Sequence, residues 1–219
     1  MDSKKRGVFM NLKNVFAISI VLTLFVCAGL CMAQTIPDTA AKTTLDNLMT
    51  AYNGENNAHV KYLAFAAKAD EEGYGKVASL FRAASRAEQV HFEWHAKVIK
   101  SLGGTPTATI ETPVVKSTAE NIQSSIDGET YESTIMYPEF LAKAKLDKIS
   151  GAVDAFEDAQ AAETVHANLY KAALKNLASM KGDKKDFYVC PKCGNVVDMI
   201  PGPSCPICME DTKLFILIS

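Results

Sequence analysis

Two five-residue segments of the chain are nearly identical, AEQVH at 87–91 and AETVH at 162–166, and they lie 75 positions apart. In both segments a glutamate precedes a histidine by three residues, a spacing that places the two side chains on one face of an α-helix. The matches at offsets of 74 or 75 also include Gly54-Glu55 with Gly128-Glu129, Tyr62 with Tyr137, and Phe81 with Phe156. The repetition therefore predicts a duplicated pair of helices.

The region 38–180 has the composition and periodicity of a helical domain. It is rich in Ala, Leu, Glu and Lys, and its apolar residues recur every three or four positions, which is the helical period. We predict four helices, at about 39–70, 76–102, 118–149 and 152–180, and four helices of this length form an all-α four-helix bundle. The connection at 105–116 is long for neighbouring antiparallel helices, so we expect it to cross the bundle.

The second half of the duplication contains one extra residue between Glu129 and Tyr137, because the offset changes there from 74 to 75. Pro138 lies beside this extra residue. A proline inside a helix removes a backbone hydrogen bond and commonly accompanies a kink or a local bulge. We therefore expect the third helix to be interrupted at this point.

Glutamates and histidines on the predicted inner faces of the helices indicate a metal site. A buried carboxylate is costly unless it is paired or bound to a cation, and four carboxylates would balance two divalent metal ions. One Glu from each of two helices and one Glu-x-x-His from each of the other two form the dinuclear site built in bundle cores. Mixed carboxylate and imidazole ligands suit iron or manganese better than calcium or magnesium. The predicted ligands are Glu55, Glu88, His91, Glu129, Glu163 and His166.

Five further polar residues on these faces have two interpretations each. Glu132 has no counterpart in the first half, so it is either an additional carboxylate that binds a metal in one oxidation state or a surface or packing residue. Tyr62 and Tyr137 form a duplicated pair, which either hydrogen-bonds the metal-binding glutamates or fills the core. His59 and His95 lack a duplicated counterpart, which favours a supporting or core position over metal ligation.

The composition changes after residue 180, where a polar hinge at 181–186 precedes a small region at 186–219. Two Cys-x-x-Cys pairs in this region are separated by eleven residues, a spacing that predicts one tetrahedral tetrathiolate metal site. Zinc and iron both fit such a site; zinc would be structural, whereas iron would transfer single electrons. Disulfides are the less favoured interpretation. The predicted ligands are Cys190, Cys193, Cys205 and Cys208.

The first 33 residues have the pattern of a secretory signal. Basic residues precede a charge-free apolar run at about 15–30, and small residues lead up to Ala33. We expect cleavage after Ala33 and export, for example to a periplasm. An uncleaved membrane anchor is the alternative, because the apolar stretch approaches the roughly 20 residues that span a bilayer.

The charged residues are nearly balanced over the whole chain. The 23 basic and 25 acidic residues give a formal net charge of −2, and no stretch concentrates Lys or Arg. We therefore expect no nucleic-acid partner.

Six fragments, GEN, AEQVH, GETYES, MYPEF, AETVH and YVCPKCG, occur in this order and resemble the rubrerythrin family. The resemblance extends over almost all of the chain after the signal segment. It implies a ferritin-like bundle with a non-haem di-iron site, fused to a C-terminal rubredoxin-like domain. The implied di-iron ligands are Glu55, Glu88, Glu129, Glu163 and His166, with Glu132 and His91 exchanging at one iron as the oxidation state changes. The four cysteines are implied to bind a rubredoxin-type iron.

The resemblance also implies an activity, the reduction of hydrogen peroxide to water in oxidative-stress defence. Electrons would come from an external reductase or rubredoxin-like protein through the tetrathiolate iron. A ferroxidase, or a non-enzymatic electron-transfer or metal-binding protein, are the alternatives. The family resemblance further suggests a homodimer, in which the rubredoxin-like domain of one chain lies near the di-iron site of its partner.

This sequence differs from the family pattern in three places. Asn195 stands where an aromatic residue often follows the first Cys-x-x-Cys-Gly, and Met209 stands where a glycine often follows the second pair. These two differences leave zinc as an alternative to iron at the cysteines. The third difference is the signal segment, since the family is usually cytoplasmic.

Overall fold

The computed structural model describes the backbone of residues 38–219 and the side chains of residues 44–219. The signal segment predicted at 1–33 lies outside the described residues and stays a prediction. Within the described part of the chain, no helix combines the length and the apolar character needed to cross a membrane.

The predicted all-α four-helix bundle is confirmed. Helix α1 comprises Asp38–Glu71, α2 Gly75–Ser101, α3 Thr118–Tyr131, α4 Tyr137–Leu146 and α5 Ser150–Lys175. A π-helical turn, Glu132–Met136, joins α3 to α4, so these two helices together form the interrupted third helix of the bundle. Helix α1 packs along α2, and α5 packs against both α3 and α4. The fourth helix ends earlier than we expected, because a 3₁₀ turn at Leu177–Met180 follows α5.

Local sequence signals account for several helix ends. Ser117 and Glu120 form a capping box at the start of α3, in which each side chain accepts a hydrogen bond from the backbone N–H of the other residue. Gly73 and Gly103 follow α1 and α2 with φ of 77° and 80°. Glycine adopts this left-handed conformation without a steric penalty, so the two helices end where the sequence places these residues.

The connection between α2 and α3 lies along α1. The backbone N–H of Thr109 donates to Asn53 Oδ1 and that of Glu111 donates to Asn57 Oδ1, each at 2.8 Å. The Asn57 side chain also donates to the Thr109 carbonyl at 2.9 Å. The two asparagines therefore fix the connection across the outer surface of the first helix.

Two apolar clusters fill the bundle, and polar residues lie between them along α1, α2 and α5. One cluster includes Phe65 and Phe81, and the other includes Leu48 and Phe156, all with an exposed fraction of 2% or less. Burial of each such side chain contributes roughly 1.5–3 kcal/mol. The clusters therefore stabilise the bundle on both sides of the polar layer and hold that layer in the interior.

The C-terminal region forms a three-stranded antiparallel sheet with the strand order β2-β1-β3. Strand β1 comprises Phe187–Val189, β2 Val196–Val197 and β3 Ile216–Ile218. Buried residues of β1 and β2 join the apolar cluster that contains Phe65 and Phe81. The sheet therefore packs against the bundle of its own chain.

Candidate metal centre

The bundle interior brings six buried residues of the duplication together in two groups. In each group, one ligand atom from every residue lies within 4.8 Å of the others. The first group consists of Glu55, Glu88, His91 and Glu163, and the second consists of Glu88, Glu129, Glu163 and His166. Glu88 and Glu163 belong to both groups, which is the arrangement of carboxylates that bridge two metal ions. We refer to the two groups together as the carboxylate site.

His91 points one ring nitrogen at the carboxylates and the other at the C-terminal region. Its Nδ1 lies 2.8 Å from Glu163 Oε1 and 3.0 Å from Glu88 Oε2, while its Nε2 lies 3.0 Å from the Cys193 carbonyl. A carbonyl only accepts hydrogen bonds, so Nε2 carries a proton. Nδ1 then either carries a second proton that it donates to the carboxylates or presents the lone pair that binds a metal ion. A lone pair directed at carboxylate oxygens is repulsive unless a cation lies between them.

His166 repeats this arrangement in the second half of the duplication. Its Nδ1 lies 2.7 Å from Glu163 Oε2, and its Nε2 lies 3.1 Å from the Gly194 carbonyl. Among the described residues, five buried atoms of the carboxylate site have no hydrogen-bond partner: Glu55 Oε2, Glu129 Oε2, both carboxylate oxygens of Glu163, and His166 Nδ1. These orphaned atoms are all metal-ligating atoms, so the residues present fit a pair of metal ions.

The electrostatics of the site also favour a cation. Burial raises the pKa of Glu55 well above its usual range, and the nearby carboxylates of Glu132 and Glu88 raise it further. Burial opposes the charged form of His91, but the carboxylates of Glu163 and Glu88 outweigh it and raise the pKa of this histidine. Both effects show an excess of negative charge that metal ions would neutralise.

Two tyrosines, which the sequence left between a supporting and a core role, contact the carboxylates. The Tyr62 hydroxyl donates to Glu129 Oε1 at 2.6 Å, and the Tyr137 hydroxyl donates to Glu55 Oε1. Both tyrosines are buried. Each half of the duplication thus supplies one tyrosine. Tyr137 orients Glu55 of the first group, and Tyr62 orients Glu129 of the second group.

The histidines without a duplicated counterpart lie outside both groups. His95 is buried, and its Nε2 lies 3.1 Å from the Tyr137 hydroxyl. Since that hydroxyl donates its proton to Glu55, it accepts a hydrogen bond from His95. Burial lowers the pKa of His95 to about 3, which keeps the ring neutral. His59 instead contacts Ser85, with Nδ1 at 2.8 Å from its carbonyl and 2.9 Å from its hydroxyl.

Glu132 lies beside the carboxylate site but belongs to neither four-residue group. Burial raises the pKa of Glu132 well above its usual range, and the carboxylate that raises it most is that of Glu129. In this structure His91, and not Glu132, occupies the ligand position of the first group. The structure therefore places both members of the implied exchanging pair at the site, with the histidine directed inward.

The π-helical turn explains how the extra residue of the second half is accommodated. The N–H of Tyr137 donates to the Glu132 carbonyl, five residues earlier, so the turn contains one residue more than an α-helical turn. Pro138 has no N–H to donate, and the Ser133 carbonyl accepts instead from the Gln160 side chain at 3.0 Å. The interruption expected near Pro138 is thus a π turn.

The four cysteines of the C-terminal region form a compact cluster. Their sulfur atoms lie within 4.8 Å of one another, with 3.5 Å between Cys190 and Cys208 and 3.6 Å between Cys193 and Cys205. A tetrahedral site with metal–sulfur bonds of about 2.3 Å has sulfur atoms about 3.8 Å apart, whereas a disulfide requires about 2.05 Å. The four cysteines form no disulfide in this structure, and their spacing fits one tetrathiolate metal site.

The two Cys-x-x-Cys segments, which we call the first knuckle (190–194) and the second knuckle (205–209), have the same turn geometry. The N–H of Gly194 donates to the Cys190 carbonyl, and that of Met209 donates to the Cys205 carbonyl, both at 3.1 Å. Their φ angles are 74° and 63°. Met209 therefore occupies a left-handed position that favours glycine.

Gly194 has a second role, which the sequence analysis did not predict. A Cβ atom at this residue would lie 2.3 Å from His91 Nε2, so a side chain here would overlap the imidazole. The carbonyls of Cys193 and Gly194 contact the two histidines of the carboxylate site. Only a glycine allows the first knuckle to approach this closely. The glycine of Cys-x-x-Cys-Gly is visible in the sequence, but its contact with His91, about 100 residues earlier, is not a local signal.

The family model for rubrerythrin matches residues 46–174. The chain belongs to the rubrerythrin family. It is 39% identical over 178 residues to nigerythrin of Nitratidesulfovibrio vulgaris, covering 81% of this chain and 87% of the relative. It is 34% identical over 187 residues to a putative rubrerythrin of Methanocaldococcus jannaschii, covering 80% and 92%.

A solved structure of nigerythrin in its fully reduced, all-ferrous state has the same fold. The TM-score is 0.74 at 37% sequence identity, with 80% of this chain and 86% of the nigerythrin chain covered. Rubrerythrins and nigerythrins bind a non-haem di-iron site, and the four-cysteine cluster fits a rubredoxin-like iron site. The predicted fold and cofactor class are therefore confirmed.

Proposed function

We propose that this rubrerythrin is a non-haem di-iron peroxidase that reduces hydrogen peroxide to water in oxidative-stress defence. The reaction consumes one peroxide, two electrons and two protons and releases two water molecules. One observation carries the proposal: His91 joins the carboxylate site through Nδ1 and contacts a tetrathiolate ligand, Cys193, through Nε2. A site for two-electron chemistry and a site for one-electron transfer thus share a hydrogen bond.

When bound, the two irons supply the pair of electrons that cleaves the O–O bond, and the tetrathiolate iron returns electrons singly. The chain's residues would bind and orient this cofactor. Glu88 and Glu163 would bridge the metals, because they alone belong to both groups. Glu55 and Glu129 would each bind one metal, held in place by Tyr137 and Tyr62, respectively.

Glu132 and His91 would adapt the ligand set to the charge of the site. In this structure Nδ1 of His91 faces the carboxylates of Glu163 and Glu88. An anionic oxygen is the better partner for a more highly charged ion, and Glu132 lies near enough to contribute to the raised pKa of Glu55. His91 would therefore hold the metal in the reduced state and Glu132 would hold it in the oxidised state.

An external donor would deliver electrons at the exposed side of the tetrathiolate site. Cys208 is the only one of the four cysteines that is partly exposed, whereas Cys193 lies buried against the bundle. Electrons would enter near Cys208 and leave through Cys193 toward His91.

The test uses the full chain loaded with iron and supplied with a reductase and a rubredoxin-type donor. We expect about three irons per chain, two in the bundle and one on the thiolates. We expect peroxide to reoxidise the reduced protein faster than dioxygen does. Faster reaction with dioxygen and ferrous iron would support a ferroxidase instead, and slow peroxide consumption by the fully loaded protein would support a non-enzymatic role. Zinc on the thiolates would contradict the electron route.

Two further proposals concern the setting of the protein. We propose export with cleavage after Ala33, which the charge and hydropathy pattern of residues 1–33 supports, with a membrane anchor as the alternative. The mass of the N-terminal peptide of the protein, isolated from a cell fraction, distinguishes cleavage after Ala33 from an uncleaved anchor. We also propose a homodimer on the basis of the family resemblance. Light scattering of the purified protein tests this, and a monomer at micromolar concentration would contradict it. The expected contact of the rubredoxin-like domain with the di-iron site of a partner differs from the structure, in which the first knuckle contacts the carboxylate site of its own chain.

A further inference from the structure

Asn195 connects the two knuckles of the tetrathiolate site. Its backbone carbonyl accepts a hydrogen bond from the Cys190 N–H at 2.9 Å, which ties it to the first knuckle. Its side-chain Nδ2 lies 3.8 Å from Cys205 Sγ, within the range of an N–H···S hydrogen bond, which ties it to the second knuckle. Only 1% of the residue is exposed. Water is therefore excluded from its contact with the sulfur.

The orientation of this amide follows from the chemistry of its neighbour. A thiolate accepts hydrogen bonds and does not donate them, so the NH₂ group faces Cys205 and the amide oxygen points away. Among the described residues, Asn195 Oδ1 is a buried atom with no hydrogen-bond partner. An apolar side chain would fill the same space without an unsatisfied oxygen, so the buried amide requires a functional explanation.

We propose that Asn195 raises the reduction potential of the tetrathiolate iron by donating its side-chain hydrogen bond to Cys205 Sγ. Reduction adds one negative charge, which the metal shares with its thiolates. A donor directed at a sulfur stabilises this extra charge more than it stabilises the oxidised site, and hydrogen bonds to the sulfurs are one determinant of such potentials. The inference rests on the proposed electron delivery, since a potential is relevant only to a redox-active metal.

The test is a redox titration of the full chain with iron on the thiolates, followed at the visible band of the tetrathiolate iron. We expect Asn195→Leu, which has a similar volume and no donor, to favour the oxidised state about tenfold, a decrease of about 59 mV for a one-electron couple. Asn195→Ala removes the donor without adding bulk and should lower the potential in the same direction. Met209→Gly is the control, because Met209 is 72% exposed and is not a hydrogen-bond donor to sulfur.

Wild-type potentials in both Asn195 variants would overturn the proposal. Loss of iron from both variants would also overturn it, because Asn195 would then be required for assembly of the site and not for its potential. Failure of the wild-type thiolates to accept iron would exclude any redox role. The titration contains no peroxide, so its outcome is independent of peroxide turnover. A protein that lacks peroxidase activity could still show the expected change in potential.

Discussion

At the scale of single residues, Glu132 distinguishes the second half of the duplication from the first. It belongs to neither four-residue group, so both groups keep their ligands without it. We expect Glu132→Gln to retain two irons in the bundle and to reduce peroxide turnover by roughly 10- to 100-fold, the range found when groups supporting a metal site are removed. Metal analysis and peroxide consumption measure the two effects.

The matched control for Glu132 is Glu139→Gln, which changes an exposed glutamate on the adjacent α4 and should leave turnover unchanged. Unaltered turnover in the Glu132 variant would show that this carboxylate has no part in the reaction.

The backbone conformation of Met209 leads to a second prediction, which concerns the stability of the protein. It adopts a φ of 63° and is 72% exposed, so its side chain adds steric strain and contributes little packing. Relief of left-handed strain is worth about 1 kcal/mol. We expect Met209→Gly to raise the free energy of unfolding by this amount at most, since glycine also gains entropy in the unfolded chain.

Thermal denaturation of the metal-loaded protein measures this difference for Met209→Gly. Met199→Gly is the control: Met199 is 75% exposed and does not have a positive φ, so its replacement should not stabilise the protein. A loss of stability in the Met209 variant as large as that in the Met199 variant would mean that the second knuckle is not strained, because both variants carry the same entropic cost of glycine.

At the scale of secondary-structure elements, the π turn aligns α4 with the carboxylate site. It adds one residue between Glu129 and Tyr137, which rotates the following helix by about 100° relative to an uninterrupted α-helix. We expect deletion of Ile135, which is 48% exposed within this turn, to move the Tyr137 hydroxyl away from Glu55. The di-iron content should fall while circular dichroism shows an unchanged helix content.

Ile135→Ala is the control for the deletion, because it removes the same side chain and keeps the register of α4. It should load iron like the wild type. Full iron content and full activity in the deletion variant would mean that the π turn is not needed to form the site.

At the scale of the whole molecule, contact between the first knuckle and the bundle depends on Gly194. We expect Gly194→Ala to separate the knuckle from His91, because the added Cβ would lie 2.3 Å from Nε2. Electron transfer from the tetrathiolate iron to the di-iron site should slow, because the hydrogen-bonded contact between Cys193 and His91 is lost and the distance between the two sites increases. Stopped-flow measurement of tetrathiolate reoxidation after addition of peroxide records this rate.

Met209 provides the control for Gly194→Ala. It shows that the equivalent turn of the second knuckle accepts a side chain at nearly the same φ, so the turn itself tolerates alanine. Met209→Ala should leave the rate unchanged. A wild-type rate in the Gly194 variant would show that electrons do not pass through this contact.

Much of the fold could be predicted from the sequence. The helix bounds were close to those observed, because apolar periodicity, the Ser117–Glu120 capping box and the glycines after α1 and α2 are local signals. The extra residue near Pro138 indicated an interruption, but its form as a π turn depends on packing, including the contact from Gln160 to the freed Ser133 carbonyl.

The residue types of both metal sites also came from the sequence by itself. Two side chains three residues apart on a helix share a face, and two cysteines separated by two residues share a turn. Both relations are local and do not depend on the rest of the chain. Duplication then related the two halves, and the structure brings the six duplicated residues together.

Only the tertiary structure decided how these residues are used. The packing of α2 against α5 places Glu88 and Glu163 in both groups and directs His91 into the site. The register of the π turn leaves Glu132 outside both groups. The contact of the first knuckle with His91 joins residues 102 positions apart. Local spacing determines what a helix face or a turn presents, whereas the meeting of two such surfaces depends on the packing of the whole chain.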